Sequence, residues 1–214
     1  MESAEDIYRR FRSLGGSERI ATPRNIEALA RLCLAEKPTR VLELGGGLGT
    51  LSYTVLRNSS ALLDVYEDDA FCRERLAENL KEFAGRFTII PTYRLLPPAS
   101  RYDLMVVDGG HHEPYHPERL YVLALEDLKT VFVEGARRSQ LVRIEQALRT
   151  RYRFGVMKVP GGVLDGRYRH GSSIVRAMPS RSAALRALSY LHARFVEEHR
   201  AARLWRFLKR LATP

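Results

Sequence analysis

An apolar run that ends in an acid and then breaks into glycines, Val41-Leu42-Glu43-Leu44-Gly45-Gly46-Gly47-Leu48-Gly49-Thr50, can fold in few ways. Its order reads as a strand, a tight turn and a helix start. Glycine lets the backbone take positive φ and lets a ligand approach where a Cβ would stand in the way. The first turn of the following helix offers free N–H groups and the positive end of a dipole. Such a turn suits an adenosine-type ligand that carries a carboxylate or a phosphate.

The glycine spacing separates two ligand classes. A dinucleotide fingerprint G-x-G-x-x-G that starts at Gly45 needs its third glycine at position 50, which is Thr50. The chain has E-x-G-x-G-x-G instead, from Glu43 to Gly49. This resembles the first motif of class I S-adenosylmethionine (SAM)-dependent methyltransferases. The resemblance implies that Gly45, Gly46, Gly47 and Gly49 hold the methionine end of SAM and that Glu43 braces the loop. It extends over about residues 22–178.

Two further acids follow at the expected places. Ala61–Tyr66 reads as a buried strand, and Glu67-Asp68-Asp69 follows it at once. In nucleotide-binding doubly wound folds, an acid about 20 residues beyond the glycine loop accepts the ribose hydroxyls. Glu67 lies 18 residues after Gly49 and is the expected ribose ligand, with Asp68 as the substitute if the strand ends one residue later. The run Leu104–Val107 is a third strand with Asp108 at its carboxyl end, where ligands of open α/β sheets bind. The form Y-D-x-x-x-x-D-G-x-H, from Tyr102 to His111, looks like the small-molecule O-methyltransferase branch of the same family.

Methyl transfer from a sulfonium asks the protein to align a nucleophile and often to remove its proton. His111, His112 and Asp108 are the candidates, since a histidine titrates near neutral pH. Cation-dependent relatives hold magnesium with an acid at the end of the fourth strand and an Asp-Asn pair at the end of the fifth. The corresponding positions here are Asp108 and Glu134, followed by Gly135, which supplies no third ligand. A Mg²⁺ site on Asp108 and Glu134 is therefore a weak expectation, and an ion pair of Glu134 with Arg137 or Arg138 is its alternative. Thr92 or Tyr93, after the strand near 87–91, stands where relatives contact the adenine. The stretch Gly161–Gly171 reads as a mobile loop whose Arg167 and Arg169 either grip an anionic group or are solvated.

Apolar periodicity gives the organisation. Thr22-Pro23 starts a helix. Strand 40–44 then leads to helix 50–58, and strand 61–66 leads to a helix over 69–84 capped by its opening acids Asp68 and Asp69. Strand and helix go on alternating to residue 150, with two closing strands near 153–159 and 172–178. The order predicts an α/β, doubly wound and mostly parallel sheet, and the resemblance implies its Rossmann-like seven-stranded form with an antiparallel last strand, which the closing pair would match. Residues 1–37 are expected to be helices covering the cofactor site, 38–179 the SAM-binding core, and 180–214 a basic amphipathic helix. Its stripe runs through Leu185, Leu188, His192, Phe195, His199 and Ala202 and thickens at Leu204, Trp205, Phe207, Leu208 and Leu211.

Charge bears on partners. The net charge is +10, and residues 181–210 hold eight Lys or Arg against two acids, a net +6. A basic surface favours anionic partners. The tail is expected to dock on the domain or on a second subunit in a homodimer, with an anionic membrane surface or RNA as the other candidates. No signal-peptide pattern opens the chain, and Cys33 and Cys72 read as packed thiols, so a cytoplasmic protein is expected, at most peripheral to a membrane. The expected activity is transfer of a methyl group to a hydroxyl of a small molecule. The alternatives are an RNA-modifying methyltransferase that grips its substrate with the tail, a SAM-fold binding protein, and an aminopropyltransferase-like enzyme. The triple glycine and Y-D-x-x-x-x-D also resemble polyamine synthases, from which D-G-G-H-H departs.

Overall fold

A computed structural model of the chain describes residues 2–110, 112–164 and 166–195. In chain order the elements are α1 (Ala4–Arg12), α2 (Pro23–Glu36), β1 (Arg40–Leu44), α3 (Thr50–Asn58), β2 (Leu62–Tyr66), α4 (Ala70–Asn79), β3 (Phe87–Ile90), β4 (Leu104–Val107), α5 (Pro117–Ala124), β5 (Thr130–Val133), α6 (Arg138–Leu148), β6 (Tyr152–Lys158), β7 (Gly162–Leu164), β8 (Arg167–Arg169) and β9 (Ser173–Pro179). Seven strands form one sheet in the order β3-β2-β1-β4-β5-β9-β6. The first five run parallel, and β9 lies antiparallel between β5 and β6. This is the expected doubly wound sheet with an inserted last strand.

The central strands are apolar throughout because both faces of the sheet are covered. Alternation sends Val41, Leu104, Val106 and Phe132 into a core shared with α2, α3 and α4. It sends Leu42, Leu44, Met105, Val107, Val131 and Val133 into a second core shared with α5 and α6. Glu43 breaks the pattern: it is fully buried on the α3 side. The strand order reverses between β1 and β4, so a crevice opens beyond their carboxyl ends.

Local signals set the helix ends. The Thr22 hydroxyl accepts from the Asn25 amide and Pro23 occupies the first helical position of α2. Asp69 caps α4 by accepting from the Cys72 amide at 2.8 Å. The helix expected over 69–84 ends at Asn79, and a 3₁₀ turn at Lys81–Phe83 takes up the remainder.

Two expectations need correction. The stretch read as a mobile loop contains a β-hairpin, with β7 and β8 paired antiparallel. Gly166 takes φ +70° at its turn, and the Arg24 guanidinium donates to the Gly161 carbonyl at 2.9 Å, which ties the hairpin to α2. The C-terminal helix docks by a different face from the one its apolar stripe suggests. Residues 183–195 are helical, with Ala193 buried in the second core and Tyr190 packed against it. Arg149 lies over the Tyr190 ring at 4.9 Å, Arg186 donates to the carbonyls of Arg149 and Ser180, and Arg194 pairs with the buried Glu145. Leu185, Leu188, His192 and Phe195 face solvent. A small residue at the contact and three cationic anchors decide the orientation. His199, Ala202, Leu204, Trp205, Phe207, Leu208 and Leu211 lie outside the described residues. Among those described, no helix is long and apolar enough to cross a membrane.

Candidate active site

The glycine turn is built by backbone contact. The Gly45 amide donates to the Tyr66 carbonyl at 2.9 Å, which ties the end of β1 to the end of β2. Gly45 has φ +86°, and a Cβ on it would stand 2.4 Å from both Cα and N of Gly109. The turns after β1 and β4 thus touch main chain to main chain. A Cβ on Gly46 would meet Val65 Cγ1 at 2.6 Å, and one on Gly49 would meet Leu76 Cδ1 at 2.9 Å. Gly47, at φ +50°, has nothing within 4 Å of that position. Three glycines admit close packing, and the fourth leaves open space for a ligand.

That space is a cleft of about 450 Å³. The glycine turn and the start of α3 line one side, the connection between α1 and α2 (Gly16, Glu18, Ile20, Ala21) lines the other, and Asp108 and Cys72 also reach it. Gly49 caps α3 without a side-chain acceptor, so the first-turn N–H groups stay open to an anionic group. The N-terminal segment thus borders this cleft through residues 16–21.

The predicted acids gather around the turn. Glu67, at the end of β2, is nearly buried. One carboxylate oxygen accepts from the Gly47 amide at 2.7 Å and the other from the Asp69 amide at 3.0 Å. Burial raises its pKa against these two bonds. Each oxygen keeps a further lone pair for a hydroxyl donor. Asp68 is exposed beside it. Glu43 accepts from the Ser52 hydroxyl at 2.6 Å, which braces the start of α3, while its other oxygen has no hydrogen-bond partner among the described residues. Burial first, then repulsion from Asp108 and Glu67, holds Glu43 well above the usual carboxylate range.

A group whose folded pKa is raised binds more protons when folded. Its stability contribution is complete below the unfolded value and falls as pH rises toward the folded one. Replacement of Glu43 by Gln keeps an acceptor for Ser52 and removes the titration. Glu43→Gln should therefore match the parent's melting temperature near pH 4 and exceed it at pH 8, with the gap growing by up to about 1.4 kcal/mol per pH unit within the window. Thermal melts across that range test this, and a gap that stays constant would place the charge elsewhere.

Asp108 and Glu134 do come together, at the ends of β4 and β5. Burial and the nearby Glu134 raise the Asp108 pKa well above normal, and Arg137 opposes them. The Arg137 guanidinium donates to Asp108 Oδ1 at 2.6 Å and also to the Asp108 carbonyl. The Asn25 amide donates to Glu134 at 2.8 Å and to the His170 carbonyl at 3.2 Å. Gln140 donates to the Gly109 carbonyl at 2.9 Å. These contacts do not fit a magnesium ion. A fixed cation already sits on Asp108, Glu134 already has an amide donor, and Gly135 adds no ligand. Among the described residues no cluster of three or more metal-ligating His, Cys, Asp or Glu side chains occurs. The expected partner of Glu134, Arg137, is found on Asp108.

The other candidates are placed as follows. His112 is exposed on the turn after Asp108, and His111 lies outside the described residues. Thr92 is half-buried and accepts from the Arg94 amide at 3.2 Å. Tyr93 is packed away: its ring stacks on Tyr66 at 5.7 Å and its hydroxyl donates to the Tyr66 carbonyl at 3.3 Å. Sequence reasoning missed Asn25 and Gln140. Asn25 stands in line with Leu29 and Leu32 on the buried side of α2, and a polar residue within an apolar stripe is the signal that would have found it.

No family model matches this sequence, and the curated proteins contain no match to it. Solved structures do match. An O-methyltransferase from Bacillus cereus in complex with S-adenosylhomocysteine (SAH) superposes with a TM-score of 0.63 at 12% identity, over 82% of this chain and 90% of that one. The O-methyltransferase TomG from Streptomyces achromogenes, in complex with SAM, gives 0.58 at 19% identity, over 82% and 87%. The tRNA (m1A58) methyltransferase TrmI from Aquifex aeolicus gives 0.59 at 17% identity, over 84% and 77%. The fold is that of the class I SAM-dependent methyltransferases. O-methyltransferases and a tRNA methyltransferase share it, so the fold by itself does not choose the acceptor.

Proposed function

We propose that this chain is a SAM-dependent methyltransferase whose acceptor is a small molecule methylated on a hydroxyl. The observation that carries this reading is the meeting of distant segments at the switch point: the 45–49 turn and Asp108 line one cleft, and Glu67 is bonded to the turn at the Gly47 amide. When bound, SAM supplies a methyl group on a sulfonium, already activated for transfer. In this reading the open N–H groups at the start of α3 bind its carboxylate, Glu67 receives the ribose hydroxyls with Asp68 beside it, and Thr92 borders the adenine. Glu67, Asp68 and Asp69 stand together beside the turn in a chain that is otherwise strongly basic, which favours a cationic donor.

Proton removal from the acceptor falls to the segment after β4. The raised pKa of Asp108 makes it a better base at neutral pH than an ordinary carboxylate. His112 on the following turn, and His111 next to it in sequence, are the other bases within the same reading. A small hydroxyl acceptor is supported by the form Y-D-x-x-x-x-D-G-x-H and by the likeness to O-methyltransferases such as TomG. Calorimetry with SAH tests the donor site. The parent should bind, and Glu67→Ala should lose about 1–3 kcal/mol through lost charged hydrogen bonds. Absence of binding by the parent would overturn the function, and unaltered binding by the variant would overturn the ribose assignment.

A further inference from the structure

We propose that the outward face of the helix over 183–195 docks this protein on an anionic lipid surface. The inference stands apart from the methyl-transfer reading. Its starting point is the face that the helix turns outward. Leu185, Leu188, Leu191 and Phe195 are 46%, 61%, 61% and 58% exposed. At spacings of three, three and four they form one strip roughly 15 Å long. The opposite face is fixed: Ala193 is buried, and Arg186 and Arg194 are committed to backbone carbonyls and to Glu145. The strip is thus held rigidly outward on a folded domain.

Charge chooses the occupant. Beyond Glu198 the sequence carries Arg200, Arg203, Arg206, Lys209 and Arg210, no acid, and Leu204, Trp205, Phe207, Leu208 and Leu211 among them. Leucine, tryptophan and phenylalanine beside several cations suit the boundary between headgroups and acyl chains, with the cations on anionic headgroups. A second copy is disfavoured, because an isologous contact would bring two segments of net +6 together. RNA is disfavoured by the exposed strip itself. It is aliphatic apart from Phe195, and the arginines of this helix point to the protein, so it presents little to phosphates or bases.

The test is co-sedimentation of the full chain with vesicles of phosphatidylcholine alone, or with roughly one-third phosphatidylglycerol. Binding to the anionic vesicles should be at least about tenfold tighter than to the neutral ones. Leu188→Glu with Leu191→Glu should weaken it at least about tenfold and leave the melting temperature unchanged. Arg203→Gln with Arg206→Gln should reduce the preference for anionic vesicles, again without a change in melting. Several results would overturn the proposal. One is a parent that ignores anionic vesicles, whether or not it binds RNA, and another is a Glu variant that binds vesicles as well as the parent does. A dimer that the Glu variant splits would show a second copy on the strip, and a fall in its melting temperature would show the strip covered by its own chain.

Discussion

Gly45→Ala is expected to lower the melting temperature by about 5–15 °C, more than an alanine at Gly47. Two costs coincide at Gly45. Its φ of +86° is left-handed, which costs an L-residue about 1–2 kcal/mol. The added methyl would also stand 2.4 Å from the Gly109 backbone. That neighbour cannot rotate aside, as the end of a side chain could, so one of the two turns must move. Overpacking of this kind costs about 1–3 kcal/mol. For a domain of this size each kcal/mol lowers the midpoint by about 2–4 °C. Gly47→Ala has the left-handed cost and meets no atom, so its fall should be the smaller. Its methyl would stand in the open space of the cleft, so it should weaken SAH binding while the protein stays folded. Thermal melts with and without SAH separate the two effects. Equal melting of the two variants would mean that the contact between the β1 and β4 turns does not hold the site together.

The same contact shows where sequence reading succeeds and where it stops. The strand at 40–44 and the helix at 50–58 were legible to the residue, because a doubly buried strand must be apolar and a glycine turn must end it. Asp69 as a helix cap and Thr22-Pro23 as a helix start were legible for the same local reason. What sequence could not supply was the direction of side chains across gaps in the chain. Asn25 and Glu134 meet over 109 positions, and no periodicity predicts that. Arg137 was foreseen as a partner for the wrong acid, because proximity in sequence favours Glu134 while the geometry of two strand ends brings it to Asp108. The hairpin over 162–169 has three-residue strands, too short for an alternating pattern to register. On the C-terminal helix the apolar stripe was real, yet it faces outward. Amphipathic pattern reports which residues share a face, and it does not report which face has cationic anchors waiting for it.

Removal of Arg137 is expected to give the second large effect, and its pH dependence identifies the cause. Arg137 and Asp108 are each about one-fifth exposed, so water screens the pair only in part. Arg137→Met leaves Asp108 facing Glu134 without a counter-charge. Breaking a fully buried pair costs about 3–5 kcal/mol, and partial access to water reduces this to about 2–3 kcal/mol near neutral pH. Because Asp108 already has a raised pKa, loss of the guanidinium raises it further. The folded state of the variant then binds more protons than the unfolded chain over a wider range, so its stability falls as pH rises through that range. The deficit relative to the parent should be small near pH 4 and largest at pH 8. Addition of Glu134→Gln removes one of the two facing charges and should return most of the loss, because the two substitutions share a contact and will not add. Methyl transfer should drop in Arg137→Met even at the pH where stability recovers, since the guanidinium also holds the Asp108 carbonyl in place at the mouth of the cleft. If the melting deficit is the same at pH 4 and pH 8, or if Glu134→Gln leaves it untouched, then repulsion between Asp108 and Glu134 is not what Arg137 relieves, and burial alone is left to raise the Asp108 pKa.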